Sequence, residues 1–160
     1  MIKSFLDARN LILDNTLQLE AESVPLVDLV GRILTRDFHA RWDMPRWDNS
    51  EMDGFAVNAL SCRHFVQLLV AGYIPAGSSA EGFSVRPGTA VRIMTGAPIP
   101  AGCDAVVPIE NTEFDGERVT IKKAVKHGDY IRFRGSDISA DEVMISTGSV
   151  LRPAEINLLA

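Results

Sequence analysis

The tightest constraint on this chain is how often glycine and proline interrupt it. From "YIPAG" at residues 73–77 through "RPGTA", "TGAPIPAG", "FDGER", "HGDY", "FRGSD" and "STGS" to "LRPAE", turn residues recur every few positions. Glycine supplies backbone conformations that other residues avoid, and proline withholds an amide donor, so neither sits well inside a long helix or a central strand. The intervening runs are β-branched or apolar and short: "AVRIM", "DAVVPIENTEF", "ERVTIKKAV", "VMIS". Such a pattern specifies many short strands joined by tight turns. Asp115-Gly116, between two β-rich runs, is the strongest local hairpin signal.

The first third reads differently. Ser4 is a helix-capping residue type, and Asp7 falls in the first turn, where a carboxylate is favoured. Phe5, Ala8, Ile12 and Leu19, with Leu6, Leu13 and Leu17, recur at helical spacing, which predicts an amphipathic helix over residues 4–20. "SVPLVDLVGRIL" predicts a short strand and one helical turn stopped by Gly31, and "RILTRDFHA" predicts a strand. "GFAVNAL" and the apolar "HFVQLLVAGYI" read as strands. Pro153 suits a helix's first turn, so a helix should open at "PAEINLLA". One long helix and many short strands exclude a doubly wound α/β sheet; the expected class is mainly β with terminal helices, of α+β character. No internal repeat or low-complexity tract interrupts it.

Composition narrows the functional classes. The 160 residues are 46% apolar and 23% charged, an ordinary globular balance. A net charge of −5 argues against a broad nucleic-acid surface, though a local basic pocket remains compatible with it. No stretch approaches the ~20 apolar residues that a membrane-spanning helix needs. Charged residues within the N-terminal apolar run are unlike a secretion signal. Cys62 and Cys103 form no C-x-x-C pair and fit reduced thiols, so the expected setting is the cytoplasm.

Three loops concentrate polar chemistry. "DNSEMDG" (48–54) holds two aspartates, a glutamate, an amide and a hydroxyl. A calcium loop starting at Asn49 would need a glutamate where Leu60 stands, so that reading fails. His39, His64 and His127 are scattered, which leaves zinc without a ligand set. Two readings stand for this loop. In one, Asp and Asn side chains order a turn while Gly54 supplies a permissive dihedral. In the other, Asp48 or Asp53 holds a divalent cation or orients a water, and Ser50 offers a hydroxyl to a phosphate oxygen. In "VRIMTGAPIP" (91–100), Thr95 offers a hydroxyl, Gly96 permits close approach to the backbone, and Pro98 and Pro100 stiffen the loop; a surface turn capped by Thr95 is the alternative. In "YIRFRGSDIS" (130–139), alternation on a strand would put Arg132 and Arg134 on one face, suited to a phosphate or carboxylate. Alternatively, the two arginines pair with Asp137, Asp129 or Asp53 and tie loops together.

Together, "PRWDNSEMDGFAV", "RIMTGAPIPAGCDAVV" and "IRFRGSDI" resemble, in order and spacing, the signature segments of the molybdopterin molybdenumtransferases, the MoeA proteins of bacteria and the E domain of gephyrin. "VDLVGRILTRDF" and "VLRPAEINLLA" extend the likeness over nearly the whole chain. The resemblance implies a fold of bifurcated, coiled β-sheets, with a connecting lobe from residues 1–45 and 139–160 and an inserted lobe from 46–138. It implies insertion of molybdate into adenylylated molybdopterin with release of AMP, in a magnesium-dependent step. The family's catalytic aspartate falls on Asp53 and its functional threonine on Thr95. Asp48, Ser50, Arg92, Arg132, Arg134 and Asp137 fall on motif positions of the substrate-binding region, and Asp53 is the implied metal ligand. The implied partners are a second copy of the chain, a MogA-type adenylyltransferase and molybdoenzyme-maturation proteins, with no nucleic acid and no membrane.

Some positions depart from the family pattern. Glu51 replaces a small residue, Phe55 a tyrosine and Trp47 a phenylalanine. Family members are much longer and continue into a MogA-like domain and a small β-barrel, and this chain stops inside the apolar run "AEINLLA". The expectation is therefore an N-terminal piece that carries half a site and is inactive alone. The competing reading is a non-catalytic binding or dimerisation module on the same scaffold.

Overall fold

The computed structural model describes residues 4–62 and 65–160; His64 lies outside them. The chain divides into two compact units, Met1–Phe38 with Val143–Ala160, and His39–Glu142.

The first unit opens with helix α1 (Phe5–Asp14), capped as expected: the Ser4 hydroxyl accepts the Asp7 amide proton. The helix is shorter than its apolar pattern. Beyond Asp14, the Asn15 side chain donates to the Leu11 carbonyl and the Thr16 hydroxyl to that of Ile12, closing the last turn locally. Leu17 and Leu19 continue the periodicity but not the helix. A single 3-10 turn follows at Leu26–Asp28, and Gly31 takes a positive φ of 79°. The two sequence-distant parts of this unit are joined by backbone bonds from Gly31 N to Leu151 O (2.8 Å) and from Leu34 N to Ser149 O (2.9 Å). Only β1 (Phe38–His39) of "RILTRDFHA" is a strand. The returning chain forms β10 (Val143–Ile145) and helix α2 (Pro153–Leu159). At the start of α2, the Glu155 carboxylate accepts from the Arg152 amide and guanidinium.

The second unit is built on a six-stranded mixed sheet. Its strands are β3 (Gly54–Val57), β4 (Val66–Ile74), β5 (Thr89–Ile93), β6 (Ala105–Pro108), β7 (Thr112–Phe114) and β8 (Arg118–Ile121), in the order β6-β3-β5-β4-β8-β7. All neighbours are antiparallel except β4 and β5. The Asp115-Gly116 turn joins β7 to β8 as expected, with the Asp115 carboxylate accepting the Glu117 and Arg118 amides. Side chains alternate across a strand. Phe55 and Val57 therefore enter one core with Leu68, Ala90, Val107 and Val119, while Ala56 enters a second core with Ile74, Val91, Ile93 and Val106. With both faces covered, β3 is buried at every residue, which is why "GFAV" reads as continuous apolar sequence.

Two further strands, β2 (Asn49–Ser50) and β9 (Ile131–Arg132), pair antiparallel outside this sheet. No helix among the described residues is long and apolar enough to cross a membrane.

Candidate functional site

The site grows out of where "DNSEMDG" lies in the second unit. On one edge it bonds to the second loop: Ser50 N to Ala97 O (3.0 Å), Gly96 N to Ser50 O (2.8 Å), and Ile99 N to Asp48 O (3.0 Å). The other edge carries the third loop, through Ser50 opposite Ile131, Asn49 opposite Arg132, and Glu51 N bonded to Tyr130 O (3.0 Å). Three segments far apart in sequence are thus zipped together, with the first in the middle.

Asp53 closes the first loop against the second. Its Oδ1 accepts both the Thr95 amide (2.8 Å) and the Thr95 hydroxyl (2.7 Å), across 42 residues of sequence. These two bonds, and then the positive charge of Arg92, hold the Asp53 carboxyl below its ordinary range. Hydrogen bonds to the charged form favour ionisation. The carboxylate is therefore charged near neutral pH. Gly96, next to Thr95, takes a φ of 80° with open space where a Cβ would stand. Side chains larger than glycine would be strained there, and the backbone stays approachable.

Gly54 works differently from the sequence expectation. Its φ is not in the left-handed region. A Cβ built on it would lie 2.1 Å from the Val107 carbonyl oxygen of β6. The glycine is required by the close approach of two backbones rather than by its dihedral.

Ser50 is 1% exposed, and its hydroxyl donates to Met52 O (2.6 Å), which shapes the turn. The Asp48 Oδ1 accepts the Arg134 amide (2.7 Å). In the third loop the strand ends at Arg132, so strand alternation does not extend to Arg134. Each guanidinium has its own carboxylate. Arg132 engages both oxygens of Asp137, with Nε 3.2 Å from Oδ1, and Arg134 Nε donates to Asp43 Oδ2 (2.5 Å). The loop-tying reading is thus realised for both arginines, although only Asp137 was among the expected partners. Both arginines and Asp137 are substantially exposed.

Asp43 is the residue that sequence reasoning missed. Its Oδ1 accepts the Ala140 amide (2.8 Å) while Oδ2 takes Arg134, and these bonds, the amide first, lower its carboxyl below the ordinary range. A signal was present: "RWD" occurs at 41–43 and again at 46–48. The two aspartates of the duplicated tripeptide hold the side chain and the amide of the same Arg134. The two tripeptides flank a cis Met44–Pro45 bond, and Arg46 lies over the Trp42 ring at 4.6 Å.

A groove of about 550 Å³ adjoins the second loop, lined by Trp47, the 77–81 turn, Gly96 and Pro98. Among the described residues, no three His, Cys, Asp or Glu side chains converge as a ready metal cage.

The whole arrangement has close counterparts. The family model for the MoeA N-terminal region (domain I and II) matches residues 3–160. A molybdopterin molybdenumtransferase of Synechococcus elongatus is 36% identical over 167 aligned positions, covering 100% of this chain and 41% of that protein. Molybdopterin molybdenumtransferase 2 of Mycobacterium tuberculosis is 39% identical over 143, covering 86% of this chain and 35% of its own. The crystal structure of a molybdopterin biosynthesis MoeA protein from Pyrococcus horikoshii superposes with a TM-score of 0.89 at 32% identity, over 99% of this chain and 43% of that one. The mainly β architecture with terminal helices is therefore that of MoeA, and the chain spans well under half the length of these relatives.

Proposed function

Because the chain belongs to the family of MoeA N-terminal regions, we propose that it is the N-terminal part of a molybdopterin molybdenumtransferase. In this reading the intact cytoplasmic enzyme, a homodimer, inserts molybdate into adenylylated molybdopterin and releases AMP. The observation that carries it is the Asp53–Thr95 contact. Two signature loops meet there through a carboxylate kept charged and a hydroxyl held at 2.7 Å.

Cleaving a pyrophosphate linkage develops negative charge on oxygen, and preorganised donors stabilise such charge. Thr95 donates both its amide and its hydroxyl proton to Asp53, so its part is to fix that carboxylate, while Gly96 leaves the neighbouring backbone accessible; the donors left for such charge are the guanidiniums of the third loop. The donor set also fits Mg²⁺, which binds through one or two carboxylates and completes its shell with water and substrate phosphates. Asp53 would hold it, and the ion would neutralise charge on the pyrophosphate oxygens. Arg132, Arg134 and Asp137 of the third loop, with Asp48 of the first, form the substrate-facing part of the site. An exposed ion pair contributes ~0–1 kcal/mol, so Arg132 can exchange its carboxylate for a substrate oxyanion at small cost. Ser50 serves the site by shaping the turn that delivers Asp53.

This chain covers 41% and 35% of the two relatives above, and in this reading the 160 residues supply only part of the site. The test uses the full-length protein in a strain lacking molybdate insertion. Wild type is expected to restore molybdoenzyme activity, and Asp53→Ala or Thr95→Ala to abolish it with normal protein levels. Full restoration by both variants would refute the site. The isolated 160 residues are expected to release no AMP.

A further inference from the structure

The groove beside the second loop has no part in the reading above. Trp47 lines it and is 53% exposed. The chain just after this tryptophan is held on two sides. Asp48 accepts the Ile99 amide through its carbonyl and the Arg134 amide through its carboxylate, and Asn49 bridges to Pro98. Trp47 therefore stands beside the stiff end of the second loop, whose Gly96 and Pro98 line the same groove. The remaining wall is the 77–81 turn. It is tied by the Ser78 amide to Pro75 O (3.2 Å), the Phe83 amide to Ala80 O (3.1 Å) and the Glu81 amide to the Ser79 hydroxyl (3.0 Å). All these residues belong to the second unit. The volume of about 550 Å³ falls within the ~300–1,000 Å³ of small-molecule sites.

Two properties of the lining select an occupant. An indole left half exposed in a groove stacks well on flat rings, since every aromatic base offers a π-face. The charge of the lining is negative. Glu81 is its one charged residue, and among the described residues its carboxylate has no cation partner. The cations of the signature segments stand elsewhere. Arg132 and Arg134 are paired with Asp137 and Asp43. Arg92, opposite Tyr73 across β4 and β5, rests its guanidinium carbon 5.5 Å from the Tyr73 ring centre and 6.0 Å from that of Phe114. A phosphate in the groove would meet a carboxylate and no counter-charge. A neutral ring bearing N–H donors would meet an acceptor.

Resting on the proposed reaction, we infer that this groove seats a planar, amino-substituted nitrogen heterocycle of the substrate, stacked on Trp47 with its N–H donors served by Glu81. Adenine and pterin share that chemistry, and adenylylated molybdopterin carries both. The walls run directly into signature residues: Trp47 precedes Asp48, and Gly96 follows Thr95. A ring held here keeps the rest of the substrate beside the loops that carry Asp53 and Arg132. Trp47 then acts on substrate affinity rather than on the chemical step.

The experiment uses the full-length protein labelled with 5-fluorotryptophan, with the ¹⁹F signals of Trp47 and Trp42 assigned by Trp47→Phe and Trp42→Phe. Adenosine, pterin and inorganic pyrophosphate are titrated separately. One of the two rings should shift the Trp47 signal saturably while that of Trp42 stays fixed, and which ring does so identifies the end of the substrate that the groove holds. Pyrophosphate should leave the Trp47 signal in place. Glu81→Gln, which keeps the indole reporter, should weaken the response to that ring several-fold. In molybdate-dependent AMP release, Trp47→Leu should raise KM roughly tenfold or more with kcat little changed, and Trp47→Phe should recover most of that loss. A Trp47 signal indifferent to both rings, a shift with pyrophosphate alone, or a response unaltered by Glu81→Gln would overturn the inference. A Trp47→Leu protein with an unchanged KM would overturn it as well. If the wild-type protein releases no AMP, the proposed reaction fails, and the ¹⁹F titrations alone decide what the groove binds.

Discussion

Gly54→Ala isolates the close approach that sets Asp53 in place. β3 lies between β6 and β5, with Gly54 opposite Pro108 on one side and Ile93 on the other. The added methyl would sit 2.1 Å from Val107 O, 2.9 Å from Val107 C and 3.1 Å from Pro108 Cα. A carbon and a carbonyl oxygen approach to about 3.3 Å at closest, so β6 must retreat by roughly 1 Å. The obstacle is backbone, and no rotamer change relieves it. Overpacking of this kind costs ~1–3 kcal/mol. Replacing glycine where φ is compatible returns about 0.4–1 kcal/mol by restricting the unfolded chain. The clash prevails, and a net loss of ~1–2 kcal/mol is expected, with each kcal/mol lowering Tm by about 2–8 °C depending on the size of the cooperative unit.

Trp42 and Trp47, the only tryptophans, both lie in the unit that holds Gly54, so fluorescence-detected urea and thermal unfolding report on that unit. Gly77→Ala is the control, since Gly77 has a φ of 78° and open space at its Cβ. It carries only the cost of a left-handed alanine, roughly 1 kcal/mol. Gly54→Ala should also disturb the neighbouring Asp53–Thr95 contact, which Gly77→Ala should leave alone. A Gly54→Ala protein as stable as wild type, with an unchanged denaturant slope and an undisturbed Thr95 amide, would refute the close-approach argument.

Two other expectations follow from the titrating groups. Burial, above all, pushes the Cys62 and Cys103 thiols up to about 11, so neither should react with iodoacetamide at pH 8 until the chain is unfolded. Rapid native-state labelling counted by mass spectrometry would contradict their placement. The Arg152 guanidinium, first among its causes, lowers the Glu155 carboxyl from 4.5 to about 2. A depressed carboxyl stabilises the folded state fully above its unfolded value. Helix α2 should therefore hold its N-terminal box above about pH 4.5 and lose that contribution as pH falls toward about 2. Carboxyl NMR titration of Glu155 should show the low midpoint, and an ordinary one would disprove the capping box.

Local chemistry was legible wherever the cause lies within a few residues. Ser4 capped its helix, Asp115-Gly116 turned its hairpin, and Pro153 opened α2, because each acts on backbone groups near it in sequence. The strand-rich class followed from the same punctuation. One local signal overrode another at α1: apolar periodicity carried it on to residue 20, but side-chain bonds from Asn15 and Thr16 back to Leu11 and Ile12 ended it at Asp14. Elsewhere local signals failed where long-range terms decide. Gly54 was read as a dihedral requirement, and only the position of β6 reveals that it is a steric one. The signature segments announced the family, yet nothing in their one-dimensional order says that 48–54 lies between the other two. Nor does it say that Asp53 receives both donors of Thr95, or that Arg134 is divided between Asp43 and Asp48.

The amino-acid sequence by itself determined which residues form turns, caps and apolar strand runs, since those choices depend on side-chain and backbone chemistry between near neighbours. Tertiary structure alone decided which carboxylate meets which donor and where Arg92 is seated, because those partners are set by strand register across the sheet and by contacts spanning tens of residues.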